Sequence, residues 1–176
     1  GDFFYEADIS DSGVAPRDYK VNRPWGVPVR FHDWEELAGA SNPDFLEFHL
    51  SYRDMESNLE KFIPDSLPYS LIVHSPDLFS QDHILDLAAE DPKLWQRSID
   101  ELQRVIDLTR TLKPKFRGSL PTKVVVSMGG SSMHSPLPLN ERPKLYERVA
   151  KGVSALDTEG VEVLAQTLPP YPWYLG

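Results

Sequence analysis

"LIVHSPDLF", residues 71–79, is an apolar run that stops at a histidine. Leu71, Ile72 and Val73 read as a buried strand, because β-branched and bulky residues fit a pleated surface. His74-Ser75-Pro76 closes it, since a proline cannot donate to a sheet ladder, and an acid, Asp77, follows. A histidine in that place has two readings. It is a satisfied group at the edge of a core, or it is an acid/base group at the open end of a sheet, where strand ends carry chemistry.

The surroundings of this strand repeat its character. Strands are expected near 27–31, 44–50, 70–74, 123–127 and 161–166. "TKVVVSM" (122–128) carries three consecutive valines, which points to burial on both faces, as in a parallel sheet. Helices are expected between the strands. In "HDWEELAGA" (32–40) Asp33 is the candidate N-cap. "RDMESNLEKFI" (53–63) has Met55, Leu59, Phe62 and Ile63 at helical spacing and is ended by Pro64. From Asp91 to Leu112 runs the longest helix, with Asp91 as cap, Pro92 at the first position and Trp95, Ile99, Leu102, Val105, Ile106 and Leu112 on one stripe. The last covers 140–157, with Gly160 just past its end as the left-handed stop. Alternation of strand and helix predicts an α/β fold with about five parallel strands. That is the first part of a (β/α) barrel, which as a whole needs about 250 residues.

Composition narrows the partners. The chain has 176 residues, a formal net charge of -9 and no cysteine. An acidic chain repels a phosphate backbone, so nucleic acid is not an expected partner. No apolar run reaches the roughly 18 residues that span a bilayer, so no membrane partner is expected either. The absence of cysteine excludes disulfides, thiolate nucleophiles and cysteine-based zinc sites, and fits a cytoplasmic protein. No glycine-rich turn follows the first strand, no P-loop spacing occurs in "SMGGSS" (127–132), and no GxSxG is present. Two domains are read: an irregular arm over 1–26, whose Phe3, Phe4 and Tyr5 need a neighbouring surface, and the partial barrel over 27–176. A chain that opens on Gly1 and ends after "PPYPWYLG" is expected to pack on other domains of a longer polypeptide.

The segment "VHSPDLFSQDHILDLAAEDPKLWQRSIDELQRVIDLTRTL" (73–112) resembles the xylose isomerase-like barrel superfamily, which holds sugar isomerases, sugar epimerases and the endonuclease IV type of repair enzyme. The matching residues are His74, Ser75 and Pro76 after the strand, then Ser98, Ile99, Glu101 and Leu102 on the helix. "DFLEFHLS" (44–51) is similar to the family's second strand through Glu47 and His49. The resemblance implies a barrel that binds a sugar or sugar phosphate and acts by isomerisation or epimerisation. Ser127 stands where metal-dependent members place a histidine, and Gln166 where they place a glutamate. A hydroxyl and an amide are weak ligands for divalent cations, so no cofactor and no tight metal site are expected. A second stretch, "YKVNRPWGVPVRFHDWEEL" (19–37), resembles the segment leading into the C-terminal barrel of multidomain sialic acid synthase-type proteins.

Five residues are the candidate site. His74 and Glu47 are the acid/base candidates. His49, Gln166 and Ser127 are the substrate-binding ones. Glu47 and His49 lie two apart on a strand and so share a face with Phe45, while Leu46, Phe48 and Leu50 take the other. For each residue the alternative is a hydrogen-bonded but inert polar group. "SMGGSS" is a phosphate cradle or a plain loop, His134 within it is an exposed residue, and Tyr171, Trp173 and Tyr174 read as core or interface. The whole is either an isomerase- or epimerase-like barrel or a non-catalytic binding or assembly module.

Overall fold

The computed structural model describes residues 22–166 and 168. The arm aromatics Phe3, Phe4 and Tyr5 and the aromatic run Tyr171, Trp173 and Tyr174 lie outside the described residues. β1 (Gly26–Val29), α1 (Trp34–Ser41), β2 (Phe45–His49), α2 (Tyr52–Met55) and β3 (Ser70–His74) come first. A hairpin of β4 (Leu78–Phe79) and β5 (His83–Ile84) follows, then α3 (Pro92–Leu112), β6 (Lys123–Val126), α4 (Arg142–Ser154) and β7 (Glu162–Ala165). The main sheet has five strands in the order β1-β2-β3-β6-β7, and every neighbouring pair is parallel. Sequential parallel strands with helical crossovers are the arrangement of the opening portion of a (β/α) barrel. Among the described residues the sheet is open, with β1 and β7 at its edges.

Alternation sorts the strands into two faces. Leu46 and Phe48 of β2, Leu71 and Val73 of β3, and Val124 and Val126 of β6 lie in register and form the core face. Helix α3 supplies Ile99, Leu102, Val105, Ile106 and Leu112 to the same core. Its start is built as the sequence implies: the Asp91 carboxylate accepts from the Lys93 N–H at 2.8 Å, and Pro92 gives up no hydrogen bond there. Gly152 lets α4 approach closely, since a Cβ on it would meet Leu87 at 3.3 Å.

Four local expectations are corrected. The helix over 53–63 is broken into α2 and a 3-10 turn, Leu59–Phe62, because Asn58 adopts φ -82 and ψ 85; Leu59 and Ile63 are buried but Phe62 points outward. Asp33 sits before α1 but caps nothing in it; its carboxylate accepts instead from the Arg30 N–H. Gly160 has φ +74 but lies in the turn into β7, six residues beyond the end of α4 at Ser154. The three valines are not buried on both faces: Val124 and Val126 face the core, while Val125 is half-buried on the uncovered side. The β4–β5 hairpin was not foreseen. Its turn residues Gln81 and Asp82 hold φ +57 and +55, a geometry usually signalled by Asn-Gly or Asp-Gly.

Candidate functional site

The site lies at the C-terminal ends of β2, β3, β6 and β7. In the β2–β3 register His49 pairs with His74, so both side chains leave the same face of adjacent strands. Their rings stack, with centroids 4.5 Å apart and planes 12° apart. Glu47, two residues earlier on β2, reaches the same side, and its Oε1 lies 2.8 Å from His49 Nε2. The far side of the cluster comes from β7. Gln166 follows the strand directly, its N–H donating to the Val126 carbonyl at 2.9 Å. That places its Oε1 2.8 Å from His74 Nε2 and 3.5 Å from Ser127 Oγ. The Ser75 carbonyl lies 3.1 Å from His74 Nδ1. The fold thus brings Glu47, His49, His74, Gln166 and Ser127 into one line across four strand ends.

His49 and Glu47 are partly covered, with 33% and 27% of their side-chain surfaces exposed. Burial is the largest influence on His49 and pushes its pKa below the ordinary histidine value. The neighbouring His74 and Arg30 push the same way, and the Glu47 charge and hydrogen bond oppose them. The Arg30 guanidinium comes from the end of β1 and donates to the His49 carbonyl at 2.5 Å. It was not singled out from the sequence, although its place directly after a strand was a usable signal. Two hollows flank the cluster. One of about 470 Å³ is lined by Arg30, Phe31, His32, Ser51, Asp54 and Phe62, and one of about 240 Å³ by Asp77, Leu85, Asp86, Ser127, Gly129 and Met133. The first has the size of a small-molecule pocket.

One amide of the loop after β6, that of Gly130, is already taken up within the chain. Asp86 was also missed, and its Oδ1 accepts from Gly130 N–H at 2.9 Å and Ala88 N–H at 2.8 Å. Gly129 and Gly130 hold φ +84 and +72, and a Cβ on Gly129 would fall 2.2 Å from Asp86 Oδ1. The glycines therefore admit a carboxylate of the chain itself. Behind them His83, 5% exposed, has its Nε2 3.1 Å from Ser98 Oγ, which also accepts from Asp86 N–H. His134 is exposed.

A divalent cation needs several carboxylate or imidazole donors converging on one point. Here Glu47 is engaged with His49, and His74 Nε2 faces an amide. Among the described residues no group of three or more His, Asp or Glu is placed to hold an ion. The donor set does not fit the metal-dependent members of the superfamily. What the cluster can do is hold protons at two adjacent imidazoles and present a hydroxyl and an amide to a polar ligand.

No family model matches the chain, and no curated protein matches it. Among solved structures it is similar to one described as "Structure of L-ribulose 3-epimerase", with 14% sequence identity and a TM-score of 0.44 over 79% of this chain and 48% of that chain. The chain spans about half the length of that structure. A likeness this distant says nothing of chemistry, and the architecture rests on the strand order itself. No helix among the described residues is long and apolar enough to cross a membrane.

Proposed function

We propose that this chain binds a sugar or sugar phosphate at the C-terminal ends of β2, β3, β6 and β7 and moves a proton beside its carbonyl, as isomerases and epimerases do. The observation that carries this reading is the meeting of Glu47, His49 and His74 with Gln166 and Ser127 at one set of strand ends. Imidazoles titrate near neutral pH and suit proton transfer. The amide and hydroxyl suit sugar hydroxyls. No metal takes part, and the partner is a small molecule rather than nucleic acid or membrane. The chain works in the cytoplasm and packs on further domains of a sialic acid synthase-like carbohydrate-biosynthesis protein. That setting rests on residues 19–37, of which 19–21 lie outside the described part. The test is an NMR titration of the ¹⁵N-labelled chain with D-fructose and D-fructose 6-phosphate. Shifts concentrated at His49, His74 and Gln166, and lost in His74→Ala, are expected. Shifts scattered over the surface would sink the reading.

A second reading has its own support. Glu47 and both ring nitrogens of His74 already have partners within the chain. A cluster so satisfied also suits a non-catalytic binding or assembly module. Binding in the titration without exchange of any sugar C–H for deuterium would favour it.

A further inference from the structure

The two stacked imidazoles are not equivalent, and their partners decide which of their four nitrogens is free for chemistry. His74 Nδ1 faces the Ser75 carbonyl at 3.1 Å. A carbonyl only accepts, so Nδ1 of His74 carries a hydrogen. Its Nε2 faces the Gln166 amide at 2.8 Å, and an amide can donate or accept by turning over. Both nitrogens are therefore occupied. His49 is different. Its Nε2 faces the Glu47 carboxylate at 2.8 Å, and an ionised carboxylate only accepts. The hydrogen of neutral His49 therefore sits on Nε2, which leaves Nδ1 with a lone pair. Among the described residues no hydrogen bond is made to that Nδ1, and a third of the side-chain surface is open.

We infer that Nδ1 of His49 is the proton-accepting atom of this site, and that Glu47 is a positioning residue that fixes the tautomer of His49. This rests on the proton-transfer reading above and moves its base from His74 and Glu47 to His49. A carboxylate behind an imidazole holds the ring in one tautomer and stabilises the cation formed when the ring takes a proton. Burial, first of all, and then the stacked His74 and the Arg30 guanidinium lower the pKa of His49, while Glu47 opposes them. In the step itself the C–H bond next to the substrate carbonyl breaks and an N–H bond forms at His49 Nδ1. The electron pair of the C–H bond becomes a carbon–carbon double bond, and the carbonyl π pair goes to oxygen as an enediolate. Return of the proton to the neighbouring carbon, with the hydroxyl proton passing from the second oxygen of the enediolate to the first, isomerises the sugar; return to the opposite face of the same carbon, by a second group, epimerises it. No oxidant, reductant or further reactant is needed.

The experiment has two arms. In the first, long-range ¹H–¹⁵N spectra of the ¹⁵N-labelled chain near neutral pH read the tautomers directly. Opposite tautomers are expected, with the hydrogen on Nε2 in His49 and on Nδ1 in His74. Glu47→Gln should collapse the preference of His49 and leave that of His74. A His49 hydrogen on Nδ1 overturns the inference. In the second arm, diethyl pyrocarbonate at limiting concentration is followed by peptide mapping, because it acylates an open imidazole lone pair. His49 should react about tenfold or more faster than His74, and faster than the buried His83. Faster reaction at His74 overturns the inference. D-Fructose 6-phosphate and D-fructose in D₂O separate this inference from the reading it rests on. Loss of deuterium incorporation by about a hundredfold or more in His49→Gln, with incorporation retained in Lys144→Gln on the exposed side of α4, supports both. Incorporation unchanged in His49→Gln overturns the inference and leaves the proton-transfer reading standing. No incorporation by the unaltered chain, with the tautomers as stated, removes the reading for these sugars and upholds the placement of the free lone pair.

Discussion

The two faces of the one sheet have been put to opposite uses. On the helix side, Leu46, Phe48, Leu71, Val73, Val124 and Val126 are each at most 1% exposed, and their neighbours across strands are also apolar. On the other side the same strands carry Glu47, His49, His74 and Lys123, all of them only partly covered. Apart from β3, whose Ser70 and Ile72 are buried on the other face as well, these strands bury one set of alternate residues. The other set is free to be polar, and it becomes most polar at the C-terminal ends. The lesson is that the polar cluster at these strand ends sits one peptide unit away from where the packing is tightest.

Mutations separate the two faces, and the largest effect belongs to the core. Phe48 is fully buried between Phe31, with ring centroids 4.8 Å apart, and Phe116, at 5.9 Å. Phe48→Ala should lower unfolding free energy by about 3–5 kcal/mol, read from urea denaturation, because it removes buried area and leaves a cavity. A loss under about 1 kcal/mol would break the contrast between the faces. Next comes the seam where the loop after β6 meets Asp86. Gly129→Ala forces a side chain into a left-handed backbone and against Asp86 Oδ1, and should cost roughly 1–3 kcal/mol.

The third effect is one of pH. Burial, above all, lowers the pKa of both His49 and His83; His74 and Arg30 add to it at His49, Arg97 at His83, while Glu47, Glu101 and Asp86 oppose it. The unfolded chain then takes up these protons at about 6.5, before the folded chain does. Stability is fully present above that value and falls as pH drops below it toward the folded values. The urea midpoint should therefore decrease between about pH 7.5 and pH 5.5, and His83→Gln should flatten part of the slope. A slope unaltered by His83→Gln would remove His83 from this account. The smallest effect lies on the open face. Lys123 is paired with Glu162 of the neighbouring strand, and Glu162 is half exposed. Lys123→Met should change stability by less than about 1 kcal/mol, because exposed ion pairs contribute little.

What the sequence made legible follows from the range of the forces involved. The alternation of "DFLEFHLS" set Glu47 and His49 on the face opposite Leu46 and Phe48, and the structure has that arrangement. Asp91-Pro92 marked the start of α3 because capping is a matter of a few neighbouring residues. The break at Asn58 was hidden, since Met55, Leu59 and Ile63 have the spacing of a continuous helix whether or not one forms. The hairpin turn was hidden too, because Gln81 and Asp82 adopt left-handed angles without the glycine that advertises them. At the site, His74 and Gln166 lie 92 residues apart and meet only because β6 lies between β3 and β7. The resemblance to sugar isomerases drew notice to both residues. It gave no indication that an amide would face an imidazole, nor that Arg30 and Asp86 would border them.

The strict order of the sheet also governs how the chain can be made. Every strand of the main sheet pairs with strands next to it in the sequence of main-sheet strands, so none has to be threaded between two already joined. A chain leaving the ribosome from its N-terminus can then assemble in the order of its synthesis, each new strand meeting a finished edge. Gln166, at the end of β7, follows His49 and His74 along the chain, so its amide is the last part of the cluster to be synthesised.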